Sequence, residues 1–81
     1  MAGCFALCGM RFMSAQRRLS KNIQRIRHDK GLSQEEVAHR AEVHQTYLSG
    51  VETGQRNPSV KVVERIANAL GVDIADLFKA D

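Results

Sequence analysis

The chain has 81 residues, which sets a single domain as the expectation and leaves a core that suffices without staples only if its elements pack well. Charged residues make up 26% and hydrophobic residues 43%, ordinary for a globular chain, and one Tyr, one Pro and no Trp favour helix over sheet. The net charge of +3 is unevenly placed: residues 1–30 carry seven basic side chains against one acid and residues 31–81 five against eight, so the N-terminal part can face a polyanion.

Met1–Met13 is apolar but too short to span a membrane, and without a basic stretch ahead of it it makes a poor signal peptide. Its composition differs from everything downstream, so residues 1–13 are expected as a flexible tail and 14–81 as the folded domain. Cys4 and Cys8 both lie in this segment, where they cannot staple a fold, and the spacings of His28, His39 and His44 fit no zinc pattern. No metal, no cofactor and a reduced, cytoplasmic protein are the expectation.

Downstream the chain punctuates itself. Gly31, Gly54 and Gly71 each follow a run of helical periodicity and suit left-handed stops. Ser33 with Glu36 three residues on reads as a capping box, Pro58-Ser59 precedes the next apolar run, and Asp73 with Asp76 opens the last one. These signals predict five helices: about 15–30, with Leu19, Ile23 and Ile26 inward; 34–41, with Val37, Ala38 and Ala41; about 45–53, with Leu48 and Val51; 60–70, with Val63, Ile66, Ala67 and Leu70; and 74–79, with Ile74, Leu77 and Phe78. No segment alternates with period two, so the class is all-α.

The second and third helices are short and joined by only Glu42-Val43-His44, which suits a steep crossing, as in a helix-turn-helix. Ala38 and Ala41 are small enough to let the helices approach. At 100° per residue, Leu48 and Val51 share one sector of the third helix and Gln45, Thr46, Ser49 and Thr53 the opposite one. A Gln amide both donates and accepts, so it matches the adenine N6 and N7 edge; Ser and Thr hydroxyls serve base or phosphate, and the Thr methyl can meet a thymine methyl. A merely polar surface would look the same in these positions alone, so the frame around them decides.

In order and at regular spacing, that frame contains Ile26-Arg27, Gly31-Leu32-Ser33-Gln34-Glu35-Glu36-Val37-Ala38, Tyr47-Leu48-Ser49-Gly50-Val51-Glu52, Gly54, Arg56-Asn57-Pro58-Ser59 and Ile66-Ala67-Asn68-Ala69-Leu70-Gly71-Val72. Over roughly residues 19–78 it resembles the lambda-repressor-like helix-turn-helix family, of Cro/repressor or XRE type, and is similar to the controller proteins of restriction–modification systems. The resemblance implies a compact five-helix DNA-binding domain that acts as a homodimer on a palindromic operator in double-stranded DNA, with the third helix in the major groove. It implies base reading by Gln45, Thr46 and Ser49, and backbone contacts by Gln34, His44, Tyr47, Thr53 and Arg56. It also implies an internal salt bridge between Arg27 and Glu52.

Two positions depart from the family pattern. Glu42 holds a turn position where relatives often have Gly; if the backbone there is left-handed, Glu costs on the order of 1 kcal/mol. His44 stands where Ser or Thr commonly caps the recognition helix, so that cap should be weak. Val60, Val62, Ile74, Leu77 and Phe78 exceed what one small core needs and are the expected dimer interface. An antitoxin or another protein-interaction module on the same scaffold is the alternative. An enzyme has no support, since there is no nucleophile–base motif, phosphate loop or metal set. No small-molecule effector domain is expected within the chain.

Overall fold

A computed structural model describes the backbone of residues 2–79 and the side chains of residues 15–79, so the side chains of the segment 1–13, read above as a tail, lie outside the described ones. Four α-helices and one short 3-10 helix follow in chain order: α1 (Ala2–Asp29), α2 (Gln34–Ala41), α3 (Gln45–Glu52), α4 (Val60–Leu70) and the 3-10 helix (Ile74–Phe78). Among the described residues there is no strand. The fifth element is thus not an α-helix. It has five residues between Asp73 and Lys79, and it closes on a three-residue spacing, with the Asp76 N–H donating to the Asp73 carbonyl at 2.9 Å.

Local chemistry sets the helix ends. The Ser33 hydroxyl accepts from the Glu36 N–H at 3.0 Å, but Glu36 turns its carboxylate to Arg40 at 2.9 Å, so only the Ser half of the expected capping box forms. At the far end of α4, Gly71 takes φ 74° and the Val72 N–H reaches back to the Ala67 carbonyl at 3.0 Å. The complete capping box is at Asp73 and Asp76. A hydrogen bond from Lys79, helped by the Asp73 N–H, holds the Asp76 carboxyl below the usual carboxylate range.

The core gathers Leu19 and Ile23 of α1, Val37, Ala38 and Ala41 of α2, Leu48 and Val51 of α3, Val63, Ile66, Ala67 and Leu70 of α4, and Leu77. Burying side chains of this kind contributes about 1.5–3 kcal/mol for each Leu, Ile or Val before the ordering cost is subtracted. Leu77 corrects the expected dimer interface: it is fully enclosed, because the 3-10 helix lies back on α1 and α4 and drives that side chain into the protomer's own core. Asn22 secures this placement. Its buried amide donates to the Leu77 and Lys79 carbonyls at 2.9 and 3.0 Å. Val60, at 77% exposure, and Phe78, at 40%, remain outside the core, while Val62 and Ile74 are half-buried against it.

Candidate nucleic-acid interface

Helices α2 and α3 meet through the turn Glu42–His44. Glu42 takes φ 60° and ψ 43° and is the one non-glycine with positive φ among the described residues. Its N–H closes α2 on the Ala38 and His39 carbonyls. Arg65 of α4 completes the turn from outside, donating to the Ala41 carbonyl at 3.1 Å and the Glu42 carbonyl at 2.9 Å. Two carbonyls where α2 ends, those of Ala41 and Glu42, are thereby satisfied, and the left-handed residue is fixed by a partner distant in sequence. At the start of α3, His44 has extended backbone angles and makes no side-chain cap.

The third helix buries Leu48 and Val51 and turns Gln45 and Thr46 to solvent, with Ser49 half-buried. Tyr47 packs its ring on the edge of the core, His44 is exposed and Gln34 is half-buried. The Thr53 hydroxyl donates within its own turn, to the Ser49 and Gly50 carbonyls. Arg56 is exposed and pairs with no acid among the described residues.

Behind this face runs a chain of hydrogen bonds with a defined polarity. Arg27 grips Glu52 through two parallel bonds, Nε to Oε2 at 2.9 Å and Nη2 to Oε1 at 3.0 Å, with side-chain exposures of 12% and 4%. The carboxylate can only accept, so Gln34 must present its amide nitrogen to it, at 3.3 Å from Oε1. That orientation leaves the Gln34 carbonyl to accept from the Gln45 amide, a long contact of 3.5 Å. Gln45 therefore keeps its carbonyl and one N–H outward, one acceptor and one donor side by side. The same network encloses and neutralises an acid that would otherwise repel phosphate.

The residues expected on one face thus fall into two groups. Gln45, Thr46 and Ser49 lie on α3 itself, with Gln34 of α2 bonded to Gln45; Thr53 and Arg56 lie beyond its end. Three side chains of the site had not been singled out: Gln16, Ser20 and Gln24 of α1. Their spacing of four was visible, but only the packing of α1 on α3 shows what they bind.

Two short helices set at a fixed turn, the second with an apolar inner face and a bare polar outer one, define a helix-turn-helix domain. A family model described as helix-turn-helix matches residues 23–77, and the chain belongs to that family, in its XRE-type branch. It is 43% identical over 65 residues to the HTH-type transcriptional regulator y4dJ of Sinorhizobium fredii, spanning 80% of this chain and 84% of that one. It is 41% identical over 59 residues to the control protein C.BamHI of Bacillus amyloliquefaciens, spanning 72% of this chain and 73% of the relative. Among solved structures, the restriction-modification controller protein C.AhdI from Aeromonas hydrophila superposes with a TM-score of 0.75 at 35% identity, over 78% of this chain and 96% of that one. Among the described residues, no helix is long and apolar enough to cross a membrane.

Proposed function

We propose that this chain is a sequence-specific DNA-binding transcriptional regulator that sets α3 into the major groove of double-stranded DNA. The observation that carries this reading is the outward donor–acceptor pair of Gln45, oriented by Gln34 and flanked by Thr46 and Ser49 on a helix whose opposite face is buried. In this reading Gln45 meets the adenine edge, and Thr46 and Ser49 meet neighbouring bases. Gln34, His44, Tyr47, Thr53 and Arg56 meet the backbone and set the register. The transcriptional regulators and controller proteins among the relatives support it.

One α3 reads only a few base pairs, so we further propose a homodimer on a palindromic operator, with half-sites about one helical turn apart. The exposed Val60 and Phe78 supply the apolar surface such a dimer needs. Selection of bound duplexes from a random pool tests the whole reading. A palindromic consensus is the expected result, and Gln45→Ala should then lose about 1–3 kcal/mol of discrimination at one base pair of each half-site. Equal loss on selected and random DNA would remove Gln45 from base reading, and a pool with no consensus would remove sequence-specific binding.

A further inference from the structure

An α-helix leaves its last four carbonyls without partners inside the helix. In α3 two of these, Ser49 and Gly50, are met locally by Thr53, Gln55 and Arg56. The other two are met from α1. The Ser20 hydroxyl donates to the Val51 carbonyl at 2.8 Å in the protein interior, a carbonyl it shares with the Gly54 N–H at 3.2 Å. The Gln24 amide donates to the Glu52 carbonyl. One turn before Ser20 on α1, the Gln16 amide donates to the Gly54 carbonyl at 2.9 Å, in the loop that follows α3. Side chains four apart lie in a row along a helix, so the three form one polar row of α1 against the end of α3. The other end of α3 has no side-chain cap.

We infer that Gln16, Ser20 and Gln24 are positioning residues for sequence reading: they hold α3 by its C-terminal end, so that its first turn presents Gln45 at one fixed tilt. The inference rests on the DNA-reading function proposed above. Eight residues are too few for a helix to be stable by itself, so neighbours must set the orientation of α3. The buried Leu48 and Val51 resist its removal, but apolar attraction is non-directional and controls tilt weakly. Directional hydrogen bonds carry the angular preference, those of the row to the carbonyls beside the two that Arg27 makes to the Glu52 side chain. Gln45 and Val51 are separated by about 9 Å along the axis at ~1.5 Å per residue, so a tilt of about 10° about the held end moves Gln45 by roughly 1.6 Å. That exceeds the ~0.5 Å range over which a hydrogen bond to a base edge keeps its strength. Loosening the row therefore degrades discrimination before it degrades attachment, since a phosphate contact follows a mobile helix more easily than a base edge does.

The test compares Gln24→Met and Ser20→Ala, which remove the donors at similar shape, with Gln24→Lys, which keeps a donor. The first readout is amide hydrogen exchange of the free protein. Removing the donors should speed exchange at Thr53 to Arg56 by about tenfold or more while α4 amides keep their wild-type rates. The second is the affinity ratio between the selected duplex and the same duplex changed at the base pair that Gln45 reads. This ratio should fall about tenfold, with affinity for random duplex held within about twofold, and Gln24→Lys should restore it. Wild-type exchange in the variants, or a parallel fall on selected and random DNA, overturns the positioning role. If the wild-type protein itself prefers no sequence, the DNA-reading proposal fails, and the exchange result decides by itself whether the row holds α3.

Discussion

The side-chain stem of Arg56 lies across Gly50, so closely that a Cβ built on Gly50 would stand 2.5 Å from Arg56 Cγ. The Arg56 N–H also donates to the Gly50 carbonyl at 3.1 Å, so backbone and side chain are both laid over the last turn of α3. A glycine inside a helix costs roughly 0.5–1 kcal/mol relative to Ala, and here it makes room for the arginine. Gly50→Ala should therefore lower the melting temperature: the atom in the way is Arg56 Cγ, close to a backbone that is itself bonded to Gly50, so its displacement costs about 1–3 kcal/mol and outweighs the gain in helix propensity. It should lower DNA affinity with a salt slope reduced by about 1, as Arg56→Gln would. Titration of a duplex at several salt concentrations reads this directly. An unchanged slope in both variants would show that Arg56 does not neutralise a phosphate.

The Arg27–Glu52 pair is enclosed rather than exposed, so its loss should be asymmetric. Arg27→Met leaves a buried carboxylate with only the Gln34 amide for company, and should cost about 3–5 kcal/mol in urea unfolding. Arg27→Met combined with Glu52→Gln removes the charge as well, and should recover a large part of that loss. A single-variant cost under about 1 kcal/mol would give the pair no more weight than a surface one.

Glu42 is a left-handed residue with a Cβ, and its side chain is 83% exposed. Its carboxylate lies 3.7 Å from Arg65, a distant and solvated pair that contributes little. The bonds from Arg65 go to backbone carbonyls and survive substitution. Glu42→Gly should thus raise stability by about 0.5–1 kcal/mol, read as an increase in melting temperature. A lower melting temperature would mean that the carboxylate does more for the turn than its exposure suggests.

Val60 and Phe78 flank an apolar groove of about 200 Å³ that Leu19, Pro58, Val63 and Ile74 help to line. If two copies meet there, Val60→Asp with Phe78→Asp should convert a sedimenting dimer to a monomer. The fold of each protomer should be spared, because neither side chain belongs to its core. Operator affinity should fall with it, since each half-site would bind alone. A monomeric wild-type protein at micromolar concentration would place no dimer on this surface.

Much of the architecture is legible in the sequence, because it depends on neighbours along the chain. Ser33 and Ser59 cap α2 and α4 through bonds three residues long, and Gly31, Gly54 and Gly71 stop helices because only they take positive φ without strain. The apolar spacing that turned Leu48 and Val51 inward also left Gln45 and Thr46 outward, with Ser49 half-buried beside them. The weak cap at His44 follows from the residue itself. The run after Asp73 carries genuine capping signals that read as an α-helix, but its five residues close as a 3-10 helix because there is too little chain to complete α-helical turns.

What the tertiary structure decided is where the polar side chains of one element meet the backbone of another. Ser20 and Gln24 look like ordinary surface residues of a basic helix until α3 is laid beside them, and Arg65 like a charge on a solvated face until the end of α2 arrives beneath it. The periodicity of Leu77 suits both the inward face of the last element and a dimer interface, and the fold gives it to the core, with Asn22 holding that element back onto α1. The sequence alone determined which faces are apolar and where each helix starts and stops, since spacing and capping act within a few residues. The hydrogen bonds that tie α3 to α1 join groups about thirty residues apart, and no local pattern encodes those.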